Sequence, residues 1–238
     1  MAISQAFVLA GGKGERLRPL TNSIPKPLVE VAGKPILQYN IELLCRHGVR
    51  EVVLGTGHLH QKIEEFFGNG KKFGASITYS VEKEPLGTGG ALLAAAQMLD
   101  SRFFMLNGDN IANFHLTEMG REHIANSALG TIALTAVEDV SGFGVAAVDG
   151  KKITEFVEKP QPGKAPGNLV NAGTYVLEKK ALEFLPPGFS LIEKTVFPAL
   201  ARRGALFAHI HKGAWFTTDT LERLARAEKG VKGGALGE

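Results

Sequence analysis

The chain has 238 residues, with 27 Lys plus Arg set against 24 Asp plus Glu and a formal net charge of +3 at pH 7. That length buries a full core as one α/β domain or two small ones, and the near-neutral balance argues against the basic face of a nucleic-acid-binding protein. A single cysteine, Cys45, excludes an internal disulfide framework and fits a reducing cytoplasm, while the absence of a leader and of any apolar run near about 18 residues argues against a membrane partner.

Residues 6–10, AFVLA, read as a buried strand that opens into a glycine-rich basic loop. Residues 35–48, PILQYNIELLCRHG, carry apolar side chains at helical spacing, with Cys45 as a small core residue. A strand at 50–56, a helix at 60–68, a strand at 75–82 and a helix at 89–99 follow. Residues 102–109, RFFMLNGD, form a strand that ends in polar groups. Strands alternating with helices predict βαβ units on a mostly parallel sheet. In such sheets ligands sit outside the carboxyl ends of the strands, where both the glycine loop and Asn107-Gly108-Asp109 fall.

The second half is richer in strands, at 130–138, 144–150, 152–159 and 169–178, and Asp149-Gly150 predicts a hairpin. Helices are expected near 191–201 and 221–227, with a strand at 205–211 between them. His209-Ile210-His211 reads as a solvated strand face, and no histidine has the spacing of a zinc ligand. The glycine-rich tail 231–238 is expected to be flexible.

The first loop fails two familiar phosphate-binding patterns. A P-loop needs Gly-Lys followed by Ser or Thr, yet Gly33-Lys34 precedes Pro35 and Gly12-Lys13 precedes Gly14. A dinucleotide fingerprint needs a third glycine where Leu17 stands. What remains is backbone N–H groups that glycine leaves open to an anion, with Arg16, Arg18 and Lys26 as cations. A tight turn with solvated basic residues is the alternative.

Six segments together resemble the sugar-1-phosphate nucleotidyltransferases. They are LAGGKGERLRPLTNSIPKPLVEVAGKP at 9–35, EPLGTGGAL at 84–92, LNGD at 106–109, FGV at 143–145, FVEKP at 156–160 and NAGTYV at 171–176. The resemblance implies a Rossmann-like mixed α/β fold with a mostly parallel central sheet flanked by helices and no C-terminal β-helix. It implies one domain over 1–230, with a nucleotide half at 1–112 and a sugar-phosphate half at 113–230 sharing the sheet.

The same resemblance implies roles for particular residues. Leu9, Ala10, Gly11, Gly12, Lys13 and Gly14 would hold the NTP, with Glu82, Gly87, Thr88 and Gly89 bordering the nucleoside. Arg16 and Lys26 would be catalytic, Lys26 fixed between Pro25 and Pro27. Asn107, Gly144, Glu158, Lys159 and Asn171 would hold the sugar-1-phosphate. Glu158 and Lys159 are strand neighbours and can serve one ligand only near a bend, which Pro160 suggests. Asp109 and Asp219 would bind Mg²⁺.

Three positions keep a second reading. Thr88 could cap the helix that follows, and Asp109 could close an Asx turn. At the late metal position Trp215 puts Thr217 where the family has aspartate; Asp219 either replaces it or forms a capping box with Glu222. The region from Val137 to Pro160 looks most like mannose-1-phosphate guanylyltransferases, with heptose-1-phosphate guanylyltransferases close behind. Uridylyl or thymidylyl transfer and a weakly active nucleotide-sugar-binding paralogue stay open. A glycosyltransferase would want a DxD motif that NGDN does not supply. The substrates imply no nucleic-acid partner, and a homo-oligomer is left open.

Overall fold

A computed structural model describes residues 3–237. Residues 1, 2 and 238, at the ends of the expected domain and tail, lie outside the described residues. In chain order the strands and helices are β1 (Gln5–Ala10), β2 (Glu30–Val31), β3 (Lys34–Pro35), α1 (Ile36–Arg46), β4 (Glu51–Thr56), α2 (His60–Phe67), β5 (Ser76–Val81), α3 (Gly87–Ala94), β6 (Arg102–Asn107), β7 (Asn110–Ala112), α4 (Leu116–Ala125), β8 (Gly130–Ala136), β9 (Gly144–Asp149), β10 (Lys152–Glu158), β11 (Leu169–Glu178), α5 (Val196–Arg202), β12 (Leu206–Ile210), β13 (Trp215–Thr217) and α6 (Leu221–Lys232). Contacts divide the chain into two interleaved units.

One unit comprises residues 4–85, 106–115 and 213–237. Its strands run β5-β4-β1, all parallel. Ala6, Phe7 and Val8 of β1 are fully buried, the continuous apolar run of a strand covered on both faces. Gly55 on β4 has a physical cause, since a Cβ there would stand 2.6 Å from the Phe7 ring. Helix α1 buries Ile36, Leu37, Ile41 and Leu44 on one face, as its spacing predicts. The short pair β7–β13 aligns Asn110 with Thr217. Val231 and Leu236, from the segment expected as a flexible tail, pack on a cluster of Val31, Ile36 and Ile111.

The other unit comprises Ile3, Leu86–Met105 and Leu116–Lys212. Its strand order is β6-β11-β8-β12-β10-β9. The expected hairpin at Asp149-Gly150 joins β9 to β10, with Asp149 opposite Lys152. Tyr175, Phe103, Phe104 and Phe197 fill its core. One helix was not expected, and two expectations need correction. Helix α4 was not visible in the pattern, because its buried face carries only two large apolar side chains, Leu116 and Met119, beside Gly120 and His123. Helix α5 starts at Val196 rather than 191, with Pro198 near its start, where a missing N–H costs nothing. His209 and His211 are buried, each 6% exposed, and Ile210 between them faces solvent; Glu122 on α4 binds His209 Nδ1 at 2.7 Å and so covers the face expected to be wet.

Candidate active site

The first unit gathers the expected phosphate and metal groups at the carboxyl end of β1. Gly14 turns in the left-handed region at φ 65°, and its carbonyl accepts from Thr21 Oγ1 at 2.8 Å and from Leu17 N at 2.9 Å. Leu17 is fully buried, so the loop is anchored while Lys13 and Arg16 stay exposed. A Cβ on Gly11 would lie 2.8 Å from Glu82 Oε1, so Glu82 backs the loop. A Cβ on Gly12 would meet nothing within 4 Å. The backbone at Gly12 is open, as an anion cradle requires.

Lys26 sits in a single helical turn entered from extended Pro25. Its side chain is only 10% exposed and its Nζ lies 2.6 Å from Asp109 Oδ2. Asp109 is brought there by a close backbone approach. Gly108 N donates to the Leu9 carbonyl at 2.9 Å, and a Cβ on Gly108 would stand 2.5 Å from that oxygen. Thr218 completes the frame, donating from its N and Oγ1 to the Asp109 carbonyl at 3.3 and 2.7 Å. Asn107 Oδ1 is buried with no hydrogen-bond partner.

Asp219 lies between two guanidinium groups. Arg16 Nη1 is 2.5 Å from Oδ2 and Arg223 Nη1 is 2.9 Å from Oδ1. Burial pushes its pKa up, but the Arg223 hydrogen bond and the Arg16 charge prevail and hold it below the ordinary carboxylate value. The capping-box reading is corrected. Thr220 is the N-cap of α6, its hydroxyl accepting from Arg223 N at 3.2 Å, which leaves Asp219 one residue too early to cap.

The second unit gathers four of the five sugar-phosphate candidates, Gly144, Glu158, Lys159 and Asn171, whereas Asn107 belongs to the first unit. Lys159 adopts φ 49°, a left-handed conformation rare for a residue with a Cβ. That supplies the bend the sequence required, at Lys159 itself, and its Nζ returns to 3.8 Å from Glu158 Oε1. Gly144 sits beneath, where a Cβ would stand 2.7 Å from Glu158 Oε2. Asn171 is braced in a bulge of β11, donating to Tyr175 Oη at 2.9 Å and accepting from Gly173 N at 2.9 Å.

Thr88 does not cap α3. It donates to Glu193 Oε2 at 2.5 Å and accepts from Ile192 N at 3.0 Å. The glycines around it answer a packing need: a Cβ on Gly87, Gly89 or Gly90 would fall 2.5 Å from Ser190 O, 2.6 Å from Leu185 Cδ2 and 2.4 Å from Gly188 O, respectively. Glu193 was not singled out in the sequence. Its signal is a lone carboxylate in the apolar run SLIEKTVF, which sequence reading absorbed into a helix. It is 8% exposed, and burial pushes its pKa up. Burial also raises the pKa of Glu158, and the charge of Glu193 adds to that rise.

Comparison with known proteins follows the same lines. A mannose-1-phosphate guanylyltransferase catalytic subunit beta from Xenopus tropicalis is 41% identical over 217 residues, covering 89% of this chain and 60% of that protein. A solved putative glucose-1-phosphate thymidylyltransferase from Bacillus anthracis, in complex with a sucrose, is 27% identical with a TM-score of 0.88, covering 94% of each chain. HddC from Yersinia pseudotuberculosis, complexed with GMP-PN, is 27% identical with a TM-score of 0.80, covering 96% of this chain and all of that one. The chain thus spans about 60% of the length of the curated relatives it matches. A family model described as nucleotidyl transferase matches residues 5–232, which include every candidate residue above, and on that match the chain belongs to the nucleotidyl transferase family.

Proposed function

We propose that this chain transfers a nucleotidyl group from GTP to mannose-1-phosphate or a related sugar-1-phosphate, giving a nucleotide sugar and pyrophosphate. The observation that carries the reading is the Lys26–Asp109 pair at 2.6 Å beside the open backbone of Gly12, at a strand's carboxyl end. The 41% identity to proteins named mannose-1-phosphate guanylyltransferase supports the sugar and the base, and the solved relative complexed with GMP-PN supports the base.

The chemistry asks for positioning and charge. The nucleophile is a phosphate monoester oxygen, largely ionised at pH 7 because its second pKa is about 6, so no general base is needed. Glu158, with Gly144 and Asn171 around it, takes the sugar hydroxyls, and Lys159 takes the phosphate. The oxygen attacks the α-phosphorus of the NTP in line, and the bond to the leaving pyrophosphate breaks. Lys26 offsets charge at the α-phosphate, Arg16 at the outer phosphates, and Gly11 to Gly14 present N–H groups to them.

The residues fit a divalent cation. Asp109, whose side chain is 41% exposed with one oxygen on Lys26, has a second oxygen to offer, and the orphaned Asn107 Oδ1 stands two residues earlier. Oxygen donors with room for phosphate and water suit Mg²⁺. When bound, the ion would neutralise charge on the phosphates. Asp219 joins this set only if Arg16 or Arg223 releases one of its oxygens. No described helix is long and apolar enough to cross a membrane; the single cysteine supports a reducing cytoplasm as the compartment of the proposed reaction.

Pyrophosphate release from GTP, ATP, UTP, CTP and dTTP, crossed with a panel of sugar-1-phosphates in Mg²⁺, tests the proposal. Turnover confined to GTP with mannose-1-phosphate or a near relative supports it; turnover with UTP or dTTP moves the base. The second reading, a paralogue that binds nucleotide sugar but turns over weakly, is favoured by Thr217 opposite Asn110 and by the two arginines on Asp219. Silence across the panel with nucleotide sugar still bound would select it.

A further inference from the structure

Within the second unit, one carboxylate stands outside the roles given so far. Glu193 is 8% exposed, and among the described residues no Lys, Arg or His forms an ion pair with it. A buried carboxylate with no ion-pair contact is costly to keep. Its Oε2 is fixed by the Thr88 hydroxyl at 2.5 Å, and that hydroxyl is itself fixed by Ile192 N at 3.0 Å. The one O–H of Thr88 is therefore spent on Glu193, so this hydroxyl has no proton left to donate to a ligand and serves to hold the carboxylate in place.

The surroundings point to a polar ligand. Glu193 is near enough to Glu158 for its charge to act on that carboxylate, and Lys159 acts on both. Three residues before it, Ser190 Oγ is buried with no hydrogen-bond partner. The segment that carries them is locked, with Ser190 N on Leu86 O and Gly89 and Gly90 N on Ser190 O. Such rigid placement is what a selective site needs.

We propose that Glu193 is a specificity-determining residue of the sugar subsite. With Glu158 it forms a two-carboxylate acceptor set for adjacent hydroxyls of the sugar-1-phosphate, and Thr88 is its positioning residue. The inference rests on the nucleotidyl-transfer reading. Carboxylate acceptors left unpaired by a deoxy or epimeric sugar reject it strongly, because the buried charge then goes unsatisfied.

The test compares wild type, Glu193→Gln and Thr88→Val in pyrophosphate release, with mannose-1-phosphate, its 2-deoxy analogue and glucose-1-phosphate. Gln keeps the shape and the Thr88 contact and removes the charge. The expected result is a rise of about tenfold in KM for mannose-1-phosphate with a smaller change in kcat, and a matching loss of discrimination against the 2-deoxy sugar. Thr88→Val is expected to move the same two quantities in the same direction, and the double variant to add less than the sum. Unchanged KM and unchanged discrimination in folded Glu193→Gln would overturn the proposal. So would an equal loss for all three sugars, the mark of a structural role. If wild type turns over no sugar-1-phosphate, the nucleotidyl-transfer reading fails on its own. Calorimetric binding of mannose-1-phosphate to wild type and Glu193→Gln then decides the role of Glu193: equal affinity overturns it and weaker binding by the variant supports it.

Discussion

Arg16 and Asp219 meet at 2.5 Å, although more than two hundred positions separate them in the chain. The contact ties the exposed tip of the glycine loop to the start of α6, and Arg223 holds the other oxygen of the same carboxylate. Asp219 therefore positions Arg16, the cation proposed to face the outer phosphates. Asp219→Asn is expected to raise KM for the NTP about tenfold, while the Mg²⁺ concentration for half-activation shifts less than threefold. A large shift in Mg²⁺ dependence would instead make Asp219 a metal ligand.

The same contact gives a pH dependence of stability. The folded pKa of Asp219 is depressed, so its contribution is present above the unfolded value near 4 and is lost as pH falls through the folded value. Its size is about 1 kcal/mol, discounted because the Arg16 side chain is 71% exposed. Urea melts of wild type and Asp219→Asn should differ by that amount at pH 7 and converge toward pH 2.

Lys26 is expected to act on the chemical step. Lys26→Met should lower kcat by about 10²–10³, the scale of removing one preorganised charge from a transition state. The KM for sugar-1-phosphate should move less than threefold in the same assay.

The glycines separate two causes of the same residue type. Gly87→Ala places a Cβ 2.5 Å from Ser190 O at φ 72°, and should cost about 2–3 kcal/mol in thermal or urea unfolding. Gly12→Ala meets nothing and should leave stability within about 0.5 kcal/mol. Its expected effect is on NTP affinity alone, because the methyl group would stand where phosphate approaches.

Lys159 pairs strain with its proposed role at the sugar phosphate. Lys159→Gly relieves a positive φ and should stabilise the fold by up to about 1 kcal/mol, while weakening sugar-1-phosphate binding at least tenfold. Chemical denaturation and KM, measured on one preparation, check both signs.

How much of this was legible in the sequence follows from the range of each interaction. The longer strands and helices of the first unit were readable because runs such as 6–10 and 36–46 carry a local period in their apolar residues, whereas the two- and three-residue strands β2, β3, β7 and β13 are too short to show one. The need for a bend at Glu158-Lys159 was also readable, since strand geometry alone demands it. The Asp219 clasp was not, because its partner Arg16 is remote in sequence, and the N-cap fell one residue later because Thr220 can do what Asp219 was expected to do. Glu193 was hidden for a similar reason. Burial, its bond to Thr88 and its charge on Glu158 are tertiary facts, whereas the sequence shows only one acid in an apolar run. The glycines of GTGG were readable as necessary but not for their cause, which is the segment packed against them.

The most direct test of the account follows the phosphorus. GTP labelled at the α-phosphate, and separately at the γ-phosphate, would be incubated with mannose-1-phosphate and Mg²⁺. The account predicts α-label in a nucleotide sugar and γ-label in pyrophosphate, in equal amounts. Label from the γ-phosphate in orthophosphate or in the sugar, or no transfer at all while nucleotide sugar binds, would contradict it.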